Sequence, residues 1–473
     1  MTSLLVENID VLVTMDEDRR VLENAWVLTE DGAVIRVGLH ADGAPTEASR
    51  KIDARGHIVM PGLVNTHHHF FQTLLRAVPS LQNAALWEWL QELYLPMGTL
   101  TDEMVHASTR TALAELMLSG CTTAQDHSYL CVNDVAFETE IEAAREMGVR
   151  FHLSRGSMTL GTSEGSIPSD DITENEEDVL TSCEQLVKSF HDASPLAMTR
   201  IELAPCSLFS VSPRLMRESA DLARTLGVGL HTHCYESQEE EDFCFEHYGK
   251  RPVAWAADLG WEGPDTWFAH AVRHIEEDIA QMAKAGTGVA HCPSSNMRLA
   301  SGIPPVRDFL DSGIRVGLGV DGSASNDGSH LLGEARMAML LQRIRYGAGG
   351  MSATEALEIA TLGGAAVLGR DDIGSLAPGK AADLIGFDLN TLDFAGAQHD
   401  PVAALVFCTP ARVRFSVIAG QVVVDDGELV GVDMATLVAD QNRLADEMVK
   451  RTEKRYGNDM STRVWKRALA PSA

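Results

Sequence analysis

Apolar and polar positions follow two different rhythms along this chain. Up to about residue 57 the apolar residues come in short runs: Leu4 to Val6, Val11 to Met15, Ala25 to Thr29 and Ala33 to Val37. Glu30-Asp31-Gly32 has the composition of a hairpin turn between the last two, so this region predicts a small β-module. From Ile58 to about Arg370 short apolar strands alternate with amphipathic helical stretches. The strands are predicted at Leu63–Asn65, Cys121–Asp126, Val149–Ser154, Thr199–Ala204, Val228–His233, Thr266–His270, Gly288–His291 and Arg315–Asp321. Between them, Thr101 to Ser119 carries the clearest helix signals: a threonine cap, Asp102 and Glu103 in the first turn, and Gly120 as the stop.

Eight strand-helix repeats predict an α/β protein built on a (β/α)8 barrel of the TIM type. A doubly wound open sheet is the alternative, but no Gly-x-Gly-x-x-Gly opens a helix here. After residue 370 strands return, at Asp383 to Phe387, Val413 to Ile418 and Gln421 to Val424. Chain termini often lie close together, so this segment is expected to complete the N-terminal one. The expected domains are a composite β-sandwich from residues 1–57 and 371–435, the barrel over 58–370, and a C-terminal helix and tail over 436–473.

Polar residues fall at the strand ends, where a barrel of this kind keeps its chemistry. Pro61-Gly62-Leu63-Val64-Asn65-Thr66-His67-His68-His69 ends the first strand. Alternation along a strand sends His67 and His69 one way and His68 the other. Arg155 follows strand three, Cys206 strand four, and His231, His233 and Glu236 strand five. His270, His291 and Asp321 end strands six, seven and eight. Three imidazoles and a carboxylate, from His67, His69, His233 and Asp321, suit one divalent metal, Zn²⁺ before Fe²⁺, with room for water. Strand four has no lysine to bridge a second metal. Glu236, three residues past His233, is placed to move a proton from that water. Glu239, Glu240, Glu241 and Asp242 are expected to be a solvated helix start.

Charge and cysteine usage narrow the partners. The 473 residues carry a net charge of −30, with 68 acidic against 38 basic side chains, which argues against nucleic acid and anionic membranes. The eight cysteines include no Cys-x-x-Cys pair and five lie in or beside predicted strands, as free buried thiols of a reducing compartment do. No membrane span or signal peptide is expected, and the expected location is the cytoplasm.

His233-Cys234-Tyr235-Glu236, Phe268-Ala269-His270, His291-Cys292-Pro293-Ser294-Ser295-Asn296 and Gly319-Val320-Asp321-Gly322-Ser323, with the His67 segment, resemble the amidohydrolase superfamily. The resemblance is to its mononuclear aminohydrolases and extends to Pro378-Gly379-Lys380-Ala381-Ala382-Asp383-Leu384. It implies metal-dependent hydrolytic deamination of an amino-substituted N-heterocycle. Within the branch, His68 to Leu74, Arg155-Gly156-Ser157-Met158 and Ala204-Pro205-Cys206-Ser207 are most similar to the members that deaminate 8-oxoguanine. Isoxanthopterin, guanine and s-triazines are the alternative substrates, the last by deamination or dechlorination. The resemblance further implies that His270 orients water or an oxyanion, that Gln72, Arg155 and Cys206 face the heterocycle, and that the chain forms a homo-oligomer. Metal-less members exist as scaffolds, but here every ligand position and the base are filled.

Overall fold

The computed structural model describes residues 2–460; the expected tail beyond them lies outside the described residues. Eight parallel strands close into a barrel in chain order: Leu63–Asn65, Cys121–Ser128, Arg150–Ser157, Thr199–Pro205, Leu230–Cys234, Thr266–His270, Gly288–His291 and Val316–Leu318. Closure is made by Leu318 opposite Asn65. Every predicted barrel strand is present. The helix after the first strand, Asp102–Leu118, is capped by Thr101, whose hydroxyl accepts from the Met104 N–H. Its acids at Asp102 and Glu103 lie at the positive end of the helix dipole.

The two terminal segments meet in one nine-stranded sheet. His57–Pro61 is the seam, pairing parallel with Ser3–Val13 and antiparallel with Leu384–Asp388. Leu4 to Val6 and Val11 to Met15, read as two strands, belong largely to one, Ser3–Val13. The register against Val21–Glu30 slips between Val6 and Ile9, where Asn8 takes φ 59°, so a bulge interrupts the alternation without ending the strand. The expected hairpin turn is real: Asp31 and Gly32 both take positive φ, 45° and 85°.

Two helices flank the C-terminal mouth of the barrel: Leu86–Met97, which the sequence reading missed, and Gln238–Tyr248, which begins at the expected run of acids. The helical stretch from Ala353 to Val367 is interrupted by a π-turn at Ile359–Gly363. A Cβ at Gly363 would strike the Val316 carbonyl, and one at Gly364 would strike Val64, so small residues let the helix press against the barrel.

Barrel and sheet are tied at the opposite mouth. Arg150, the first residue of the third barrel strand, donates from Nε and Nη2 to both oxygens of Asp383, at 2.8 and 2.9 Å. Its Nη1 donates to the carbonyls of Leu196 and Ala197, and Asp383 also accepts from the Ala419 N–H. Both side chains are buried, so removing one strands a charge away from water. Asp383→Ala is expected to cost about 3–5 kcal/mol of stability, read from denaturant unfolding.

Candidate active site

Four strand ends bring one set of atoms together. His67 and His69 leave the first strand, His233 sits on the fifth, and Asp321 follows the eighth. The Nε2 atoms of His67 and His69 each lie 3.4 Å from Asp321 Oδ1, and those of His69 and His233 are 3.2 Å apart.

Hydrogen bonds on the far side of each ring fix which nitrogen carries the proton. His69 Nδ1–H donates to the His127 carbonyl at 2.8 Å, and His233 Nδ1–H to the Cys206 carbonyl at 2.7 Å. His231 Nδ1–H donates to the Trp267 carbonyl at 3.1 Å, so its Nε2 is an acceptor and takes the His67 Nδ1–H at 2.8 Å. The Nε2 atoms of His67, His69 and His233 are therefore lone pairs aimed at one place, and His67 Nε2 has no hydrogen-bond partner among the described residues. Burial pushes the three imidazoles below their ordinary pKa, which keeps them neutral. Converging lone pairs beside a carboxylate repel one another unless a cation lies between them, so this donor set fits a divalent metal. His68 points away as expected: its Nδ1 accepts from the His69 N–H and its Nε2–H donates to Ser329 Oγ.

Glu236 lies beside this cluster. Its Oε2 is 3.5 Å from His270 Nε2, and its Oε1 accepts from Ser301 at 3.5 Å. Burial pushes its carboxyl up to about 7. His270 Nδ1 is bonded to Asn296 Oδ1 at 2.9 Å, which turns Nε2 toward Glu236 and Asp321. Burial opposes the imidazolium, but Glu236 and Asp321 outweigh it and hold His270 above its ordinary value. Asp321 goes the other way: burial works against its charge, but the histidines around it, with His270 the one that keeps its proton, leave it well below the usual carboxylate range. Backbone strain gathers here too, with φ of 62° at Tyr235, 71° at His270, 51° at Ala271 and 62° at Asp321.

The cavity in front of these groups is lined by His69, His233, Glu236, His270 and Asp321, and also by Gln72 and Cys206. Gln72 is carried there by a 3-10 turn, its N–H bonded to the His69 carbonyl. Cys206 presents its thiol while its carbonyl holds His233. His291 is buried at the end of the seventh strand but does not line the cavity.

Arg155 is not part of this site. Along the third barrel strand the even positions face inward: Gly156 lies against His127 and Tyr129, where a Cβ would collide. Arg155 therefore points outward into the helix layer. There it makes a bidentate pair with Glu174 at 3.0 and 2.7 Å and lies over the Phe137 ring. The helix start after Glu236 also differs from expectation. Glu239 and Asp242 are exposed and Glu241 is half-buried, but Glu240 is 1 % exposed and lines the cavity. Ser237 caps this helix, and Glu240 reaches back to accept the Glu236 N–H at 2.9 Å, which orients that residue. His127 escaped notice because the predicted strand stopped one residue short of it. It lies against the histidine cluster, with its Nε2–H given to the Ala204 carbonyl. Arg155→Ala is expected to lower stability by about 3 kcal/mol in denaturant unfolding, because it strips a partner from a buried pair, while KM of the folded variant stays within about two-fold.

The sequence profile of the Amidohydrolase family matches residues 58–423. The 8-oxoguanine deaminase of Pseudomonas aeruginosa is 45 % identical over 426 residues, 89 % of this chain and 94 % of the relative. The hydroxydechloroatrazine ethylaminohydrolase of Pseudomonas sp. (strain ADP) is 38 % identical over 95 % of this chain and 96 % of its own. Among solved structures, the atrazine chlorohydrolase of Arthrobacter aurescens TC1 complexed with zinc superposes with a TM-score of 0.89 at 34 % identity, covering 93 % of this chain and all of the other. With the barrel closed, the histidines converging at its C-terminal mouth and these relatives matching nearly end to end, the chain belongs to the amidohydrolase family and is a hydrolase acting on C–N bonds.

Proposed function

We propose that this protein removes the exocyclic amine of a planar N-heterocycle by hydrolysis, and that 8-oxoguanine, giving urate and ammonia, is its preferred substrate. The observation that carries the chemistry is Glu236: a buried carboxyl pushed up to about 7, facing His270 across 3.5 Å at the edge of the histidine cluster. A group with a pKa near the working pH can both take and return a proton. His67, His69, His233 and Asp321 are assigned as ligands of one divalent cation, zinc by the match of imidazole and carboxylate donors. When bound, such a cation supplies Lewis acidity and draws the pKa of a water at that point toward neutrality.

Glu236 then accepts a proton from the attacking water and hands it to a ring nitrogen, which relieves the charge created when attack breaks the aromaticity. Asn296 keeps His270 turned inward, so its Nε2 meets the developing oxyanion. His270 and Asp321 relay the second proton to the departing amine. The water oxygen ends on the ring carbon, and the nitrogen leaves as ammonia. Gln72 offers both a donor and an acceptor to the ring edge.

The substrate reading is supported by the 45 % identity to an 8-oxoguanine deaminase. The relative that acts on a triazine, at 38 %, supplies the competing reading. Ammonia release across 8-oxoguanine, guanine, isoxanthopterin and aminotriazines decides between them. Far faster turnover of a triazine would end the 8-oxoguanine assignment and leave the deaminase chemistry standing. Glu236→Gln is expected to keep its metal by elemental analysis and lose about 10²–10⁴-fold in kcat. Near-normal turnover by that variant would remove Glu236 from the mechanism. The same elemental analysis on the parent protein is expected to find one tightly held metal per chain; two would contradict the ligand assignment.

A further inference from the structure

One part of the cavity wall comes from the helix Leu86–Met97. Leu86, Trp89, Leu90 and Tyr94 recur at helical spacing and turn one stripe toward the cavity. Three of these four are apolar or already satisfied, since the Trp89 indole N–H donates to the Ala324 carbonyl at 3.3 Å. The neighbouring Tyr129 hydroxyl lies against Met97 Sδ. Tyr94 is the exception. It is 2 % exposed, it lines the cavity, and its hydroxyl has no hydrogen-bond partner among the described residues.

Burial pushes the Tyr94 phenol well above its ordinary pKa, and the nearby Cys206 and Glu236 push it further. The group therefore keeps its proton at any working pH and acts as a neutral donor. A ligand that displaces water from this donor and brings no acceptor costs about 1–3 kcal/mol, so binding favours one that brings an acceptor to it. Arg155, expected to supply that donor, is held in the helix layer by Glu174.

We propose that Tyr94 is a specificity-determining residue, its hydroxyl donating a hydrogen bond to the additional oxo group that distinguishes 8-oxoguanine from guanine or isoxanthopterin from pterin. This rests on the reading of the cavity as a site for amino-heterocycles, but not on 8-oxoguanine being the preferred one. Sites that hydrogen-bond a polar substituent discriminate strongly against analogues lacking it, because the protein group is then left unpaired.

The test is steady-state kinetics of the zinc-loaded parent and Tyr94→Phe on two matched pairs, 8-oxoguanine with guanine and isoxanthopterin with pterin. Thermal unfolding and metal content, expected to be unchanged, show that the variant is intact. On at least one pair the parent is expected to favour the oxo member. Tyr94→Phe is expected to lower kcat/KM on that member by about ten-fold or more and on its partner by less than about three-fold. Equal losses on both members, or an unchanged ratio, would overturn the proposal, as would a parent that shows no preference within either pair or turns over none of the four. Activity confined to the pterin pair would end the 8-oxoguanine reading while still judging Tyr94.

Discussion

Three imidazole lone pairs and a carboxylate oxygen drawn together through contacts of 3.2–3.4 Å are an unfavourable arrangement in a protein without a cation to bind them. The fold maintains it by working from behind. The carbonyls of His127 and Cys206, and His231 acting through the Trp267 carbonyl, each take an Nδ1 proton and leave the opposite nitrogen bare. His69 and His233 find their partners on or beside the adjacent strand and His67 finds His231 on the strand across the barrel, so the protonation pattern of the cluster is a property of barrel closure rather than of any one segment. The positive φ values at Tyr235, His270, Ala271 and Asp321 lie at the same strand ends and mark where the backbone bends to aim the groups.

Once that cluster is in place, its neighbours divide the acid and base roles. Glu236 and Asp321 are both buried carboxyl groups, yet their pKa values move in opposite directions. Asp321 lies among the histidines, with the His270 imidazolium beside it, and stays ionised. Glu236 has only His270 as a charge partner and lies under burial and the added repulsion of Asp321 and Glu240, so it rests near neutrality. Pairs of titratable groups whose surroundings separate them in this way are how a site keeps one group charged and the other exchanging protons. Glu240 contributes through position as well, since the bond from the Glu236 N–H sets how that side chain enters the cavity.

The rest of the molecule serves to keep the strand ends fixed. The first barrel strand follows directly on His57–Pro61, the seam of the nine-stranded sheet, so any shift of that sheet would be felt at His67. The Arg150–Asp383 pair locks the same sheet to the barrel at the opposite mouth. Helices Leu86–Met97 and Gln238–Tyr248 border the cavity and separate it from bulk water, which strengthens every electrostatic interaction inside.

The sequence by itself determined what depends on local periodicity. Eight strand-helix repeats implied the barrel, and the rule that chemistry sits at strand ends picked out His67, His69, His233, Glu236, His270 and Asp321, which the fold does bring together. Period-two alternation also assigned His68 correctly to the opposite face. Tertiary structure decided whatever depends on which neighbour a side chain meets. Arg155 stands at a strand end like the others, but its odd position in the third strand sends it outward to Glu174. Glu240 reads as one of four similar acids, and only the turn of its helix against the barrel buries it under Glu236. Tyr94 lies some twenty-five residues from the nearest histidine motif, in a helix without a strong cap, and it reaches the cavity only because that helix packs across the barrel mouth. Spacing along a chain records the period of an element; it does not record the direction from which a distant element arrives.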